Sequence, residues 1–220
     1  MTDSTSKRGQ PSKNWRSLLF KLGTGALTGF LASFGIISLL DSGVLGEIGE
    51  SREIATLVAT IYFLCGAIVA FGLVSPRWGA RLLNVEDAEE IEEMRPMLAW
   101  SCVGTFALAL ALAVAALAAP VGPIAQIPAL ALIIALFAAA WYAGSRQRAH
   151  TDELMRAVSS QATSVAFYLS VVIGGGWSLL AHLDIVAVPL SPLDWLSLFA
   201  GLLLVAAFYA TIHRGMIRDF

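Results

Sequence analysis

The chain has 220 residues, of which 57% are hydrophobic and only 14% charged, against about 25% charged in ordinary soluble domains. With a mean hydropathy of +0.75, this composition describes a polytopic membrane protein and leaves no soluble domain of useful size. A formal charge of −2 offers no bulk attraction to nucleic acid.

Residues 1–18 form a polar, basic stretch, expected to be a disordered cytoplasmic tail. From Trp15 to Lys21 it turns basic and aromatic, as suits a headgroup layer. The long polar lead lacks a small-residue cleavage site, so the first apolar run is expected to be an uncleaved anchor.

Six apolar runs follow within a membrane domain over 19–220: about 22–40, 54–74, 97–119, 124–143, 161–181 and 193–212. Each approaches the ~20 residues that cross ~30 Å of hydrocarbon. The fold class expected is therefore all-α, with six transmembrane helices as three hairpins and one short cytoplasmic amphipathic helix. Pro120-Val121-Gly122-Pro123 is read as a tight turn, because two prolines inside one long helix would be costly. Cys65 and Cys102 lie in apolar runs without CxxC spacing and read as buried small hydrophobes.

The amphipathic helix is expected in NVEDAEEIEEMRP, Asn84 to Pro96, which holds six of the sixteen acidic residues. Asn84 is a suitable N-cap and Asp87 stands where a capping-box acid would. Glu86, Glu89, Glu90 and Glu93 share one helical face, opposite Val85, Ala88 and Ile91. Pro96 suits the first turn of the next helix. The acidic face reads either as a solvated surface or as a docking face for a basic protein partner.

Orientation follows from basic residues. With six spans and an inside N-terminus, thirteen of the fourteen lysines and arginines fall inside, and only Arg52 falls outside. Both termini are thus expected in the cytoplasm. Trp15, Trp78, Trp100 and Trp141 fall near inside ends, and Trp177 and Trp195 near outside ends, as aromatic belts require.

Small residues recur every fourth position: Gly25, Gly29 and Ser33 in the first run; Ala107, Ala111 and Ala115 in the third; Ala131, Ala135, Ala139 and Ala143 in the fourth; Ala162, Ala166, Ser170, Gly174 and Ser178 in the fifth. Such faces let helix backbones approach closely in lipid, though alanine is abundant throughout the chain. The fifth is expected to be a central packing element, loosened at Gly174-Gly175-Gly176. Each hairpin ends in an aromatic followed by basic residues, which fits either a duplicated hairpin or ordinary cytoplasmic boundary chemistry.

In RQRAHTDELMRAVSSQATSVAF, Thr151 is expected to cap a helix, with Asp152 paired to Arg156. This link resembles that of a group of small, uncharacterised bacterial inner-membrane proteins, whose cytoplasmic D-E-L-x-R segment runs into a helix. The resemblance covers about residues 98–218 and implies no activity, cofactor or site.

His182, Asp184 and Asp194 flank the fifth and sixth runs, but His182 and Asp184 alternate rather than align, so no metal or other cofactor is expected. Gln161, Thr163, Ser164 and Tyr168 make the start of the fifth run polar, fit to line a small cavity or to bond across helices. No nucleophile motif, phosphate loop or HExxH occurs, and no catalytic residue is assigned. The expected function is that of a non-enzymatic membrane component acting through helix packing, a protein partner or homo-oligomerisation. The alternative is a transporter or channel for a small uncharged or apolar solute. Runs without a central charge disfavour ion-coupled transport.

Overall fold

The computed structural model describes residues 49–83 and 88–213, together with Gly35 and Ser38. The expected tail, the 22–40 run apart from Gly35 and Ser38, its Gly25/Gly29/Ser33 ladder, and the Asn84 cap lie outside the described residues.

The described residues build an all-α, multi-pass membrane protein. Its helices are α1 (Glu50–Val74), α2 (Pro76–Leu83), α3 (Ala88–Glu93), α4 (Arg95–Ala116), α5 (Gln126–Ala149), α6 (Glu153–Ser170), α7 (Gly176–His182) and α8 (Pro192–His213). A π turn, Val171–Gly175, joins α6 to α7 without a break, giving one 30-residue helix from Glu153 to His182. Among the described residues, five helices are long and apolar enough to cross a membrane. Large apolar side chains such as Phe63, Phe71, Ile127, Ile134, Val172 and Phe208 point away from the bundle. That exposure would be ruinous in water and is ordinary in hydrocarbon.

The helices pack as a row, α5 on α4, α4 on α1, α1 on α8 and α8 on α6. Small residues make this possible. Ala59, Tyr62, Ala109, Leu112 and Ala200 close the α1/α4/α8 core. The Tyr62 hydroxyl donates to the Ala200 carbonyl at 2.8 Å, so its polar end is satisfied in the interior. Cys102 is buried with its thiol 3.4 Å from the Gly66 carbonyl. Cys65 is exposed, contrary to the expectation that both cysteines are buried: it lies on the outward face of α1.

The fifth-run ladder packs as expected. Ala162, Ala166 and Ser170 are buried, the first two against Ala206 and Ala210 of α8. Among the described residues its helix stands at one end of the row. The glycine triplet falls at the π turn, where Ser170 Oγ donates to the carbonyls of Ala166 and Phe167. A Cβ on Gly174 would sit 2.8 Å from the Trp195 ring. Gly174→Leu and Ser170→Leu are therefore each expected to lower stability by about 1–3 kcal/mol through overpacking. Thermal unfolding in mild detergent checks this, and wild-type stability in both variants would contradict it.

The fourth-run ladder does not pack. Ala131, Ala135 and Ala139 are exposed, and Ala143 alone is buried, against Gly104. The face of α5 turned to α4 instead runs through Ala129, Ile133, Leu136 and Ala140. Alanine is abundant throughout the chain and sits on lipid-facing sides as well, so its spacing alone does not select a face.

The run ends also shift. α5 continues six residues past the expected end, through Arg146 and Arg148, which favour a helix C-terminus. Arg146 lies over the rings of Trp100, 5.7 Å away, and Tyr142, 5.9 Å away, tying the start of α4 to the end of α5. At the link to α6, the N-cap is Asp152 rather than Thr151: its carboxylate accepts from the Met155 N–H at 2.7 Å. Thr151 instead donates back to the Gln147 carbonyl near the end of α5. Asp152 does not pair with Arg156, whose guanidinium donates to the carbonyls of Arg148 and Thr151. With its acid occupied as a cap, the arginine turns to the orphan carbonyls of the α5 terminus.

Candidate functional site

The charged stretch folds back on the end of α1. Ser75 ends α1, and its carbonyl accepts from the N–H groups of Trp78 and Gly79, which starts α2. Pro76 begins that helix, where a missing N–H does no harm. Gly79 then lies directly on Gly72: a Cβ there would be 2.6 Å from the Gly72 Cα and carbonyl oxygen, and 2.9 Å from Ile91 Cδ1. Two glycines thus let α2 touch α1 backbone to backbone. Ile91, 1% exposed, locks α3 onto the contact. The apolar back expected of this segment is real at Ile91, while Val85 lies outside the described residues.

The helix ends before its expected bound at Arg95. It breaks at Met94, whose φ of −82° and ψ of 0° leave regular helix, and α4 starts at Arg95 with Pro96 in its first turn. Between α2 and α3 opens a groove of about 680 Å3, walled on one side by Arg77 and Trp78 and on the other by Glu89, Glu92 and Glu93. Three carboxylates face one guanidinium, so its charge balance is acidic. Glu92 pairs with Arg95 at 2.9 Å, but both are more than half exposed, and such a pair contributes at most about 1 kcal/mol.

Of the acids assigned to the docking face, Glu89 and Glu93 line this groove. Glu90 is half-buried and does not line it. Glu86 lies outside the described residues. Glu92, Arg77 and Trp78 were not among the expected site residues. Glu89, Glu92 and Glu93 stand at i, i+3 and i+4, a pattern that becomes a face once the short helix is known.

A second concavity, about 760 Å3, lies between the α4/α5 and α6/α8 pairs, near Arg148 and Arg156. Thr163 and Ser164 line it, as the polar start of the fifth run suggested, together with Ser101, Gln147, Thr151 and Thr211. Gln161 and Tyr168 do not. Thr163 and Thr211 donate to carbonyls of their own helices at 2.9 and 2.7 Å. These hydroxyls are satisfied within the fold and do not await a ligand.

His182, Asp184 and Asp194 are not drawn into a metal site, and among the described residues no three His, Cys, Asp or Glu side chains cluster as one. Asp194 is a structural cap: its carboxylate accepts from the Ser191 N–H at 2.8 Å, while Ser191 Oγ accepts from the Asp194 N–H at 3.2 Å. That reciprocal pair is a capping box for α8. Asp184 ends α7 in the left-handed region, φ 56°, where its N–H reaches the Ala181 carbonyl and that of Ile185 reaches Leu180.

Comparison of the chain with protein-family models, curated proteins and solved structures finds no match.

Proposed function

We propose that the protein is a non-enzymatic component of a bacterial inner membrane that acts by protein–protein contact, offering the α2/α3 groove to a basic segment of a partner. The observation that supports this reading is the division of labour in α3. Ile91 holds the helix to the glycine contact, leaving Glu89, Glu92 and Glu93 on the groove wall. A lysine or arginine entering beside Trp78 meets carboxylates and an aromatic face together.

Glutamine at Glu86, Glu89, Glu90 and Glu93, with Glu92 added in a second variant, is expected to leave the bundle intact. Co-purification of partner proteins in mild detergent should fall, and salt should weaken wild-type capture in the same way. Capture that ignores both changes would remove the proposal. Uptake of an uncharged solute by purified protein, with no partner attached, would point to the transport class instead.

The proposed topology is six spans in three hairpins, the first over 22–40, with both termini and the groove cytoplasmic. It rests on the thirteen-to-one division of basic residues. Reporter fusions at Gly46, Gly122 and Val188 are expected to signal from the outside. A cytoplasmic signal at any of the three would contradict the topology.

A further inference from the structure

Only His150, Thr151 and Asp152 join α5 to α6, yet these two helices make little contact along their lengths. A short link ordinarily joins antiparallel neighbours that pack. Here α5 packs on α4 and α6 on α8, and the second concavity, of about 760 Å3, opens between the two pairs. Its walls all belong to one end of the bundle: the start of α4, the end of α5, the start of α6 and the end of α8.

The polar lining is basic. Arg148 and Arg156 both border the hollow. The Arg148 guanidinium makes no hydrogen bond or ion pair among the described residues. Arg156 commits a single nitrogen, to the Arg148 and Thr151 carbonyls at 3.2 and 3.4 Å, which leaves its other donors open. No aspartate or glutamate lines the hollow. Asp152, beside Thr151, spends its carboxylate on the Met155 N–H. From Arg156 a polar stripe runs two turns down α6 through Ser159, Ser160 and Ser164. These three hydroxyls make no hydrogen bond among the described residues, unlike that of Thr163, which donates to its own helix. The walls beside the stripe are apolar, at Val158, Leu203 and Ala207. On the α5 wall, Gly144 stands one turn from Arg148, and a Cβ there would meet nothing within 4 Å. The glycine thus keeps room beside the guanidinium.

We propose that this hollow binds one anionic phospholipid. Its phosphate lies between Arg148 and Arg156, its ester carbonyls accept from the serine hydroxyls, and its chains follow the apolar wall. Guanidinium groups match phosphate oxygens in charge and geometry, and basic pockets between spanning helices suit such headgroups. The absence of a carboxylate sets the net charge of the head, because a zwitterionic lipid would bring an ammonium group with no anion to meet it. The apolar wall and the gap between α5 and α6 favour a lipid entering from the bilayer over a soluble phosphate. This site is separate from the α2/α3 groove, and it stands or falls independently of the partner reading.

The test is native mass spectrometry of the full-length protein in mild detergent, titrated with phosphatidylglycerol. One saturable adduct is expected. Phosphatidylcholine with the same chains should bind at least about tenfold more weakly, and an excess of inorganic phosphate should not displace the bound lipid. Arg148→Gln removes a side chain without a partner, so thermal unfolding should stay native while affinity falls about fivefold. Gly144→Leu, which grows into the hollow, should abolish the adduct at an unchanged unfolding temperature. Adducts that never saturate, or equal affinity for the two lipids, would overturn the proposal and leave only boundary lipid. Displacement by phosphate would overturn it in favour of a soluble ligand. Unchanged affinity in Arg148→Gln, or an adduct retained in folded Gly144→Leu, would place the lipid elsewhere and overturn it equally.

Discussion

Replacing Gly79 by valine is expected to detach α2 from the end of α1 and abolish the groove between α2 and α3. The first added carbon would lie 2.6 Å from the Gly72 Cα and carbonyl oxygen. Both are main-chain atoms, so no rotamer change can make room. The remaining methyls would press on Ile91, whose Cδ1 is already within 2.9 Å of that first carbon. Overpacking of this kind costs about 1–3 kcal/mol, and a backbone-on-backbone contact belongs at the upper end. The spanning helices do not depend on this contact, so the loss should be local. Hydrogen exchange should speed up in α2 and α3 and stay slow in the buried turns of α4. Partner capture should fall with it, even though every glutamate is retained. Unchanged protection of α2 and α3 in Gly79→Val would show that α2 is held by something other than its glycine contact.

That contact also marks where sequence reading stops. The apolar runs were legible because each is long, uncharged at its centre and bounded by polar residues, and five of them return as long apolar helices among the described residues. The ladder of the fifth run was legible because glycine and serine in lipid need a reason, and α8 supplies it. The alanine ladder of the fourth was misleading because alanine is abundant in this chain and sits on lipid-facing sides as well. The start of α6 was legible to within one residue from its cap signal at Thr151-Asp152, although Ser159, Ser160 and Gln161 interrupt the apolar run without breaking the helix. Amphipathicity correctly put Ile91 on the inner face of α3. It did not bring Arg77 and Trp78 opposite Glu89 and Glu93, because that depends on a fold-back at Ser75 and a Gly72–Gly79 contact that no periodicity announces.

Arg52 was visible in the sequence only as an exception, the one basic residue on the side opposite the other thirteen. Its structural role accounts for it. One guanidinium nitrogen donates to the carbonyls of Ala116 at 2.8 Å and Ala118 at 2.7 Å, where α4 ends and the turn to α5 begins. The last carbonyls of a helix have no intrahelical donor and carry the negative end of its dipole. Here the neighbouring Leu117 carbonyl takes the Ile124 N–H, and Ala118 takes that of Gly122 as well. The arginine therefore completes the accounting at a membrane-proximal helix end, from a helix more than sixty residues away in sequence. Arg52→Met keeps most of the apolar stem and removes the donors. Hydrogen bonds to a charged group contribute about 1.5–3 kcal/mol each. At this half-buried position the pair should be worth about 3 kcal/mol, read as a lower unfolding temperature in detergent and faster cleavage within 117–125. Lysine should recover part of the loss, because both bonds come from a single nitrogen and an ammonium can serve two acceptors, although from a shorter stem. Under the proposed topology Gly122 should report from the outside in both variants, because thirteen basic residues still favour that orientation. If Arg52→Met unfolds like the wild type, the α4 terminus is satisfied without it, and the lone outside arginine has no structural role.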